Sequence, residues 1–490
     1  MSDLVVRTAA GPVAGRVADG IRSWRGVPYA GTERFGPAGP PVPWSTPRDA
    51  TGPGLVAVQT TPAGELVGTE DCLTLDVYAP AQADGPLPVL FWVHGGAFLT
   101  GAAADYDGTT LAAAGPVVVV AVSYRLGPFG FLQLGTAREP EPSPAVTDLV
   151  AALDWVDREV AAFGGDPGRV TLVGQSAGAS LVCALLATEA GRRARAAIAL
   201  SVGGPPLHPA ESVDVTGRVL AELGPARTDV AALRGLPVAT VVDAATAVAR
   251  SSRRQRLGGV VWGPVVDGRV LPARPGDVVA AGALRDTALW FGSCRDEMTM
   301  FLRGGAEDAV AVARGRIGDA AFDRLLGVYA ATAEPGEDVV QALLTDEMWV
   351  RPVESMARAQ AAAGGRAWLS RFDHAPALAP FDVLGPTHGA DNACLWAARG
   401  RFVERPLLAR PAAVMGAADE VVAGVLQSAV LGLVRTGSPA VGSLRDWPPY
   451  EPTRGVIAVL DARSRVVAAP GADRRRAWAA VEGAGVPAGA

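Results

Sequence analysis

The feature that most constrains this chain is the pentapeptide Gly174-Gln175-Ser176-Ala177-Gly178. It follows the apolar run 170–173 and precedes a stretch rich in helix formers at 179–188. Glycines on both sides let a strand reverse sharply into a helix, because they have no side chains to clash. Such a turn holds a serine hydroxyl at the end of a strand, next to a helix N-terminus that favours negative charge. The pattern predicts Ser176 as a nucleophile, with the Ala177 N–H as an oxyanion donor.

Composition is that of a large globular protein. The chain has 490 residues, of which 49% are hydrophobic and 19% charged, and this is ample for an extensive core. The net charge of −6 argues against a nucleic-acid or anionic-membrane partner, because either would require a basic surface. All 44 basic residues are arginines, and alanine and glycine are abundant. This bias is typical of a GC-rich genome, so we expect a bacterial source.

No targeting or metal-binding segment is predicted. Residues 1–11 lack the apolar stretch of a signal peptide, and the longest apolar runs, such as 116–122, are too short to span a membrane. No pair of cysteines has the spacing of metal ligands, and nothing requires disulfides. We therefore expect a cytoplasmic protein without metal or other cofactor. The four cysteines are Cys72, Cys183, Cys294 and Cys394.

The centre of the chain alternates strand, helix and strand. The β-branched run 117–122 is typical of a strand buried on both faces, residues 148–162 have helical periodicity, and the strand at 170–173 follows. This order predicts an α/β fold with a mostly parallel sheet covered by helices. We expect one domain over residues 1–478, with helical insertions at about 205–260 and 300–365 and a mobile tail over 479–490.

A nucleophilic serine needs a histidine base, and the chain has four histidines. In enzymes with this serine turn the acid follows the serine and the histidine comes last. That order excludes His94 and disfavours His208, which leaves too little chain for the acid. His374 and His388 remain, and His388 is favoured because it lies on a glycine-flanked loop.

The acid is expected after a strand between Ser176 and the histidine. Asp296 and Glu297 both follow the strand-like run 288–292, at the strand end where α/β enzymes place active groups. Their positions alone do not distinguish the two. A second strand, ending near Val93, leads into Gly95 and Gly96, whose backbone can turn N–H groups towards a substrate carbonyl.

Further segments extend this pattern over nearly the whole chain, and together they resemble the type-B carboxylesterase family, which includes para-nitrobenzyl esterases and cholinesterases. The resemblance implies an α/β-hydrolase fold and a serine esterase that acts on small-molecule esters. We expect a monomer or dimer. The segments are EDCLTLDVY (70–78), HGGAF (94–98), SYRLGPFGF (123–131), FGGDP (163–167), GQSAGA (174–179), GSCRDE (292–297), THG (387–389), RTGSP (435–439) and WP (447–448).

The resemblance also implies roles for individual residues. It makes Glu297 the acid in preference to Asp296, and it suggests a buried support network between Asp391 and Ser201 behind the catalytic residues. Aromatic residues at family gorge positions are Phe98, Trp262, Trp349 and Trp396. The implied catalytic triad is Ser176, Glu297 and His388, and the implied oxyanion donors are Gly96, Ala97 and Ala177.

The chain departs from the family pattern at several positions. Met298 follows Glu297 where the family usually has glycine, Asp391 stands where glutamate is usual, and Val202 replaces a usual glycine. No cysteine precedes Cys72, so the bridge found there in secreted relatives is not expected. Two alternatives stay open: a non-catalytic binding protein on the same fold, and the same chemistry on amides, carbamates or lactones.

Overall fold

A computed structural model describes residues 4–203, 206–224, 230–252, 260–402, 405, 413–468 and 470–483. Seventeen strands lie in these residues, thirteen of them in one sheet. The strands are β1 (Leu4–Arg7), β2 (Pro12–Ala18), β3 (Ile21–Pro28), β4 (Arg48–Asp49), β5 (Gln59–Thr60), β6 (Leu66–Val67), β7 (Thr74–Pro80), β8 (Leu87–Val93), β9 (Val118–Val122), β10 (Gly165–Gln175), β11 (Ala196–Leu200), β12 (Ala288–Cys294), β13 (Ala367–Phe372), β14 (Arg401–Phe402), β15 (Ala413–Val414), β16 (Val456–Leu460) and β17 (Arg465–Ala468).

The main sheet runs β1-β2-β3-β7-β9-β8-β10-β11-β12-β13-β16-β17, and β4 pairs with β2. All neighbours from β9 to β16 in this order are parallel, whereas the strands at both edges pair antiparallel. The predicted α/β fold with a mostly parallel centre is confirmed. Because the carboxyl ends of parallel strands meet at one edge of a sheet, β8, β10 and β12 bring their following loops together.

Helices cover both faces of the sheet. The helices of the described residues are α1 (Thr109–Ala114), α2 (Gly127–Phe131), α3 (Pro144–Glu159), α4 (Ala177–Ala187), α5 (Pro209–Leu223), α6 (Val230–Arg234), α7 (Val238–Ser251), α8 (Pro275–Ala280), α9 (Glu307–Ile317), α10 (Asp319–Ala331), α11 (Val339–Thr345), α12 (Arg351–Ala362), α13 (Phe381–Leu384), α14 (Ala390–Leu395), α15 (Ala417–Thr436) and α16 (Ala472–Gly483).

The core divides at the sheet because strand side chains alternate between its faces. In β8, Phe91 packs with the cluster that includes Leu149 of α3 and Leu181 of α4. Its neighbour Trp92 packs with the opposite cluster, which includes Leu426 of α15. Every β8 residue is buried, as expected for a strand with helices on both sides.

The two regions predicted as insertions are helical where they are described. Helices α5 to α7 occupy the first, and α9 to α12 occupy the second. The second contains two breaks that the sequence did not reveal. Gly318 separates α9 from α10 with a φ of 84°, and a π-helical segment, Asp346–Val350, joins α11 to α12.

The expected boundary after residue 478 falls inside α16. The side chains of Trp478 and Val481 are buried, so residues 479–483 continue the helix, and residues 484–490 lie outside the described part. One described helix, α15, is long and apolar enough to cross a membrane, and 56% of its apolar window is buried inside the protein. A helix buried in a protein core can be equally long and apolar.

Candidate active site

Ser176 lies on the tight turn between β10 and α4. Its backbone angles, φ 58° and ψ −128°, are strained for a residue with a side chain. The turn is possible because two glycines pack against backbone. A Cβ at Gly174 would lie 2.5 Å from the Gly178 carbonyl oxygen, and one at Gly178 would lie 2.1 Å from that of Val93. The glycines of the motif therefore have the steric function expected from the sequence.

His388 is hydrogen-bonded at both ring nitrogens. Its Nε2 lies 2.8 Å from Ser176 Oγ, and its Nδ1 lies 2.6 Å from Glu297 Oε2. Because a carboxylate can only accept, the Nδ1–H donates to Glu297 and Nε2 is left to accept from the hydroxyl. Glu297 is fully buried, and its Oε1 accepts the Cys294 N–H at 2.7 Å. The arrangement is that of a nucleophile, a base and an orienting acid.

The alternative acid lies in a different environment. The Asp296 carboxylate is paired with the guanidinium of Arg295 at 2.8 Å and is partly exposed. The Asp296 N–H donates to the Pro386 carbonyl, so the backbone here connects the acid loop to the histidine loop. Glu297, and not its neighbour, is the carboxylate beside His388.

The other three histidines have separate partners. His374 Nε2 lies 2.6 Å from Asp419 Oδ1, and the His208 side chain accepts the Ala210 N–H at the start of α5. His94 is fully buried and stacks on Tyr124 with ring centroids 4.4 Å apart. Burial lowers the pKa of His94 to about 4. These positions agree with the preference for His388 as the base.

The glycine loop after β8 lies against the nucleophile. A Cβ at Gly95 would lie 3.1 Å from Ser176 Cβ. Gly96 has a φ of 118° and Ala97 a φ of 55°, which turns their N–H groups away from a regular strand. Among the described residues, no backbone carbonyl outside regular helices and strands accepts a hydrogen bond from the N–H of Gly96, Ala97 or Ala177. These are the three N–H groups that the family resemblance implies as oxyanion donors.

Cys294 lies between the two residues of the expected support network. Its Sγ lies 3.9 Å from Ser201 Oγ, and its thiol is one of the groups that lower the pKa of Asp391. Burial and then the charge of Glu297 raise the pKa of Asp391 to about 7. Sequence reasoning missed Cys294, although it stands three positions before Glu297 at the end of β12.

Two aromatic rings flank the histidine. The ring centroid of Trp349 lies 4.5 Å from that of His388, and the Phe301 centroid lies 5.3 Å from it. Trp349 was expected to line the gorge, whereas Phe301 was not identified. Trp396 packs in the core against Trp92 at 4.9 Å, which explains its burial without a role in the gorge.

Comparison with known proteins agrees with this geometry. The carboxylesterase family profile matches residues 2–478. The chain is 32% identical to the para-nitrobenzyl esterase of Bacillus subtilis, over 97% of this chain and 98% of that protein. The chain belongs to the carboxylesterase family. It is therefore a carboxylic-ester hydrolase of type B, which is the class that the sequence motifs imply.

Other carboxylesterase relatives and solved structures support the assignment. Phenmedipham hydrolase of Pseudarthrobacter oxydans is 31% identical over 93% of this chain and 94% of its own length. A solved para-nitrobenzyl esterase superposes with a TM-score of 0.85 at 29% identity, covering 97% of this chain and 99% of that one. A solved carboxylesterase of Geobacillus stearothermophilus gives 0.81 at 33% identity, covering 97% and 99%. The α/β-hydrolase fold of the chain is shared over its length.

Proposed function

We propose that Ser176, His388 and Glu297 carry ester hydrolysis through an acyl-enzyme intermediate. His388 takes the proton of Ser176 as the hydroxyl attacks the ester carbonyl, and then protonates the leaving alkoxide. The single observation that supports this most strongly is the histidine held at both nitrogens, at 2.8 and 2.6 Å. Glu297 holds the imidazole in the tautomer that can accept the proton and stabilises the imidazolium that forms.

Deacylation uses the same groups in the reverse order. A water molecule attacks the acyl carbonyl, His388 takes its proton, and Ser176 leaves as the hydroxyl. We assign the oxyanion in both steps to the N–H groups of Gly96, Ala97 and Ala177. Each such donor is worth about 3 kcal/mol of barrier in related acyl-transfer enzymes, because donors held in place need no reorganisation as charge develops.

We further propose that Ser201, Cys294 and Asp391 support the catalytic acid from behind. The Cys294 N–H donates to one oxygen of Glu297, and the Cys294 thiol lies 3.9 Å from Ser201 Oγ. Asp391 stands where the family usually has the longer glutamate. We assign to the thiol the connection to Ser201 that the shorter side chain does not make directly.

For the substrate, we propose an ester with an apolar acyl or alcohol group. The faces next to His388 are aromatic, and Phe98 follows the oxyanion loop directly and packs on Phe131 at 5.1 Å. One relative is named fumonisin B1 esterase, which agrees with an ester substrate. Another is named phenmedipham hydrolase, and hydrolysis of amides, carbamates or lactones stays the alternative. A non-catalytic binding protein is disfavoured by the bonded Ser176–His388–Glu297 arrangement.

We infer one α/β-hydrolase domain over residues 1–478 with two helical insertions, in a bacterial protein of the cytoplasm that acts as a monomer or dimer. The four buried cysteine thiols are free, which is compatible with a reducing compartment.

The proposal is tested by Ser176→Ala in the purified full chain. We expect loss of para-nitrophenyl butyrate hydrolysis and of labelling by a fluorophosphonate probe. Ser180→Ala, one helical turn further along the same helix, is the matched control and should keep both. Retained hydrolysis in Ser176→Ala would exclude Ser176 as the nucleophile. A panel of esters of increasing acyl length, with an anilide, a carbamate and a lactone, then defines the substrate class.

A further inference from the structure

Met298 is linked twice to the segment that covers the catalytic histidine. It directly follows Glu297 and is only 1% exposed. Its backbone N–H donates to Thr345 Oγ1 at 3.3 Å, and its Sδ accepts the indole N–H of Trp349 at 3.4 Å. Thr345 also accepts a hydrogen bond from Gln341 at 3.1 Å. The acid loop and the helical insertion are therefore joined through one residue.

Trp349 lies in the π-helical segment Asp346–Val350. π-Helical turns inside α-helices occur mostly as local insertions and are frequent at functional sites. Here the indole is tilted by 40° to the His388 ring at a centroid distance of 4.5 Å, and Phe301 stacks on it at 5.6 Å. The position of Trp349 therefore determines how the histidine is packed.

The thioether is the group that fixes this position. Trp349 is buried, and a buried indole N–H needs a partner, which the Met298 sulfur provides. A glycine, which the family usually has at this position, would offer no such acceptor. Without the acceptor the indole would lose its preference for the observed orientation, and one side of the imidazole would lose its packing.

We propose that Met298 is a positioning residue, whose thioether holds Trp349 against His388 so that the imidazole stays aligned with both Ser176 and Glu297. The inference rests on the proposed roles of these three catalytic residues. It adds a contribution of this chain's own Met298 to the rate of the chemical steps and leaves substrate binding largely unaffected.

The test is a double-mutant cycle in the full-length enzyme. Met298→Leu removes the acceptor at similar volume, and Trp349→Phe removes the donor while it keeps an aromatic ring. We expect each to lower kcat about threefold to tenfold, and Met298→Leu to change KM by less than about twofold. The double variant should be no slower than the slower single variant, because both changes break one interaction.

Met415→Leu is the matched control, since Met415 is buried in a core cluster different from that of Met298 and Trp349. It should retain the wild-type kcat and show a thermal midpoint similar to that of Met298→Leu. Rates that multiply in the double variant, or a wild-type kcat in Met298→Leu, would overturn the inference. If Met298→Leu does not fold, an unchanged kcat in Trp349→Phe overturns it equally.

The positioning role of Met298 and the catalytic triad are tested by different variants. Full activity in Met298→Leu would contradict only the positioning role of Met298 and would not contradict the proposed triad. Retained hydrolysis in Ser176→Ala removes the triad, and the positioning role with it.

Discussion

The Nδ1 atom of His388 lies 2.6 Å from the Oε2 atom of Glu297, across 91 residues of sequence. The contact joins the loop after β13 to the loop after β12, which are neighbouring parallel strands. Because Glu297 is also held by the Cys294 N–H, the carboxylate has one oxygen for the backbone and one for the histidine. The sheet thereby places the imidazole and the carboxylate in a single geometry.

Replacement of the Glu297 carboxylate by an amide tests whether Glu297 orients the imidazole of His388. Glu297→Gln preserves shape but offers an amide that favours the wrong imidazole tautomer. We expect kcat for para-nitrophenyl butyrate to fall about a thousandfold or more. Asp296→Asn, one position earlier and paired with Arg295, should stay within about twofold of wild type. The reverse ranking in steady-state kinetics would move the acid to Asp296.

The glycine at 178 is required by the space around the serine turn. In Gly178→Ala the new methyl group would meet the Val93 and His94 carbonyl oxygens at 2.1 and 2.6 Å. We expect the free energy of unfolding to drop by about 1–3 kcal/mol, with loss of activity. Gly327→Ala is the control, because nothing lies within 4 Å of that position in α10, and it should leave stability unchanged or raise it. Equal urea midpoints for the two variants would contradict the steric argument.

The raised pKa of Asp391 predicts that the free energy of unfolding depends on pH. Its pKa is raised from 3.8 to about 7 in the folded protein, so between these pH values the folded state binds more protons than the unfolded state. A rise in pH through this window therefore lowers the free energy of unfolding, by up to about 1.4 kcal/mol per pH unit. Asp391→Asn should lose this slope in urea titrations at several pH values.

The exposed carboxylate Asp286 provides the control for that experiment, because its side chain is 94% exposed. Asp286→Asn should keep the wild-type dependence of stability on pH. A slope in Asp391→Asn that equals the wild-type slope would show that this carboxyl does not titrate as the burial implies.

The last helix should contribute strongly to stability. Trp478 is buried, its indole N–H donates to Tyr329 Oη at 2.8 Å, and the Arg351 guanidinium lies 3.9 Å above its ring. Trp478→Ala should lower the free energy of unfolding by about 3–5 kcal/mol. Arg476→Ala, whose exposed side chain pairs with Asp473, should cost no more than about 1 kcal/mol. Similar thermal midpoints for both variants would contradict the docking of this helix.

Features that follow from a local pattern were predictable from the sequence. The serine turn at Ser176 is readable because the glycines and the flanking strand and helix lie within a few residues of it. Glu297 could not be separated from Asp296 by position alone, because the choice depends on which side chain points at a loop that is distant in sequence. The family resemblance made the choice, and the described geometry agrees with it.

Other features depend on packing that no local pattern encodes. The π-helical segment Asp346–Val350 reads as an ordinary helix, since it interrupts neither the apolar spacing nor the helix propensity. The contact of Cys294 with Ser201 joins two segments that are 93 residues apart in the sequence. In the sequence, Met298 is only a departure from the family pattern. Its contact with Trp349 is visible only in the structure.

The central claim is that Ser176 carries the acyl group. Rapid quenching of the enzyme with para-nitrophenyl butyrate, followed by peptide mass spectrometry, tests it most directly. We expect a butyryl adduct on the peptide that contains Ser176, formed within the first turnover and absent from Ser176→Ala. An adduct on a different residue, or hydrolysis with no adduct at Ser176 in any quenched sample, would contradict it.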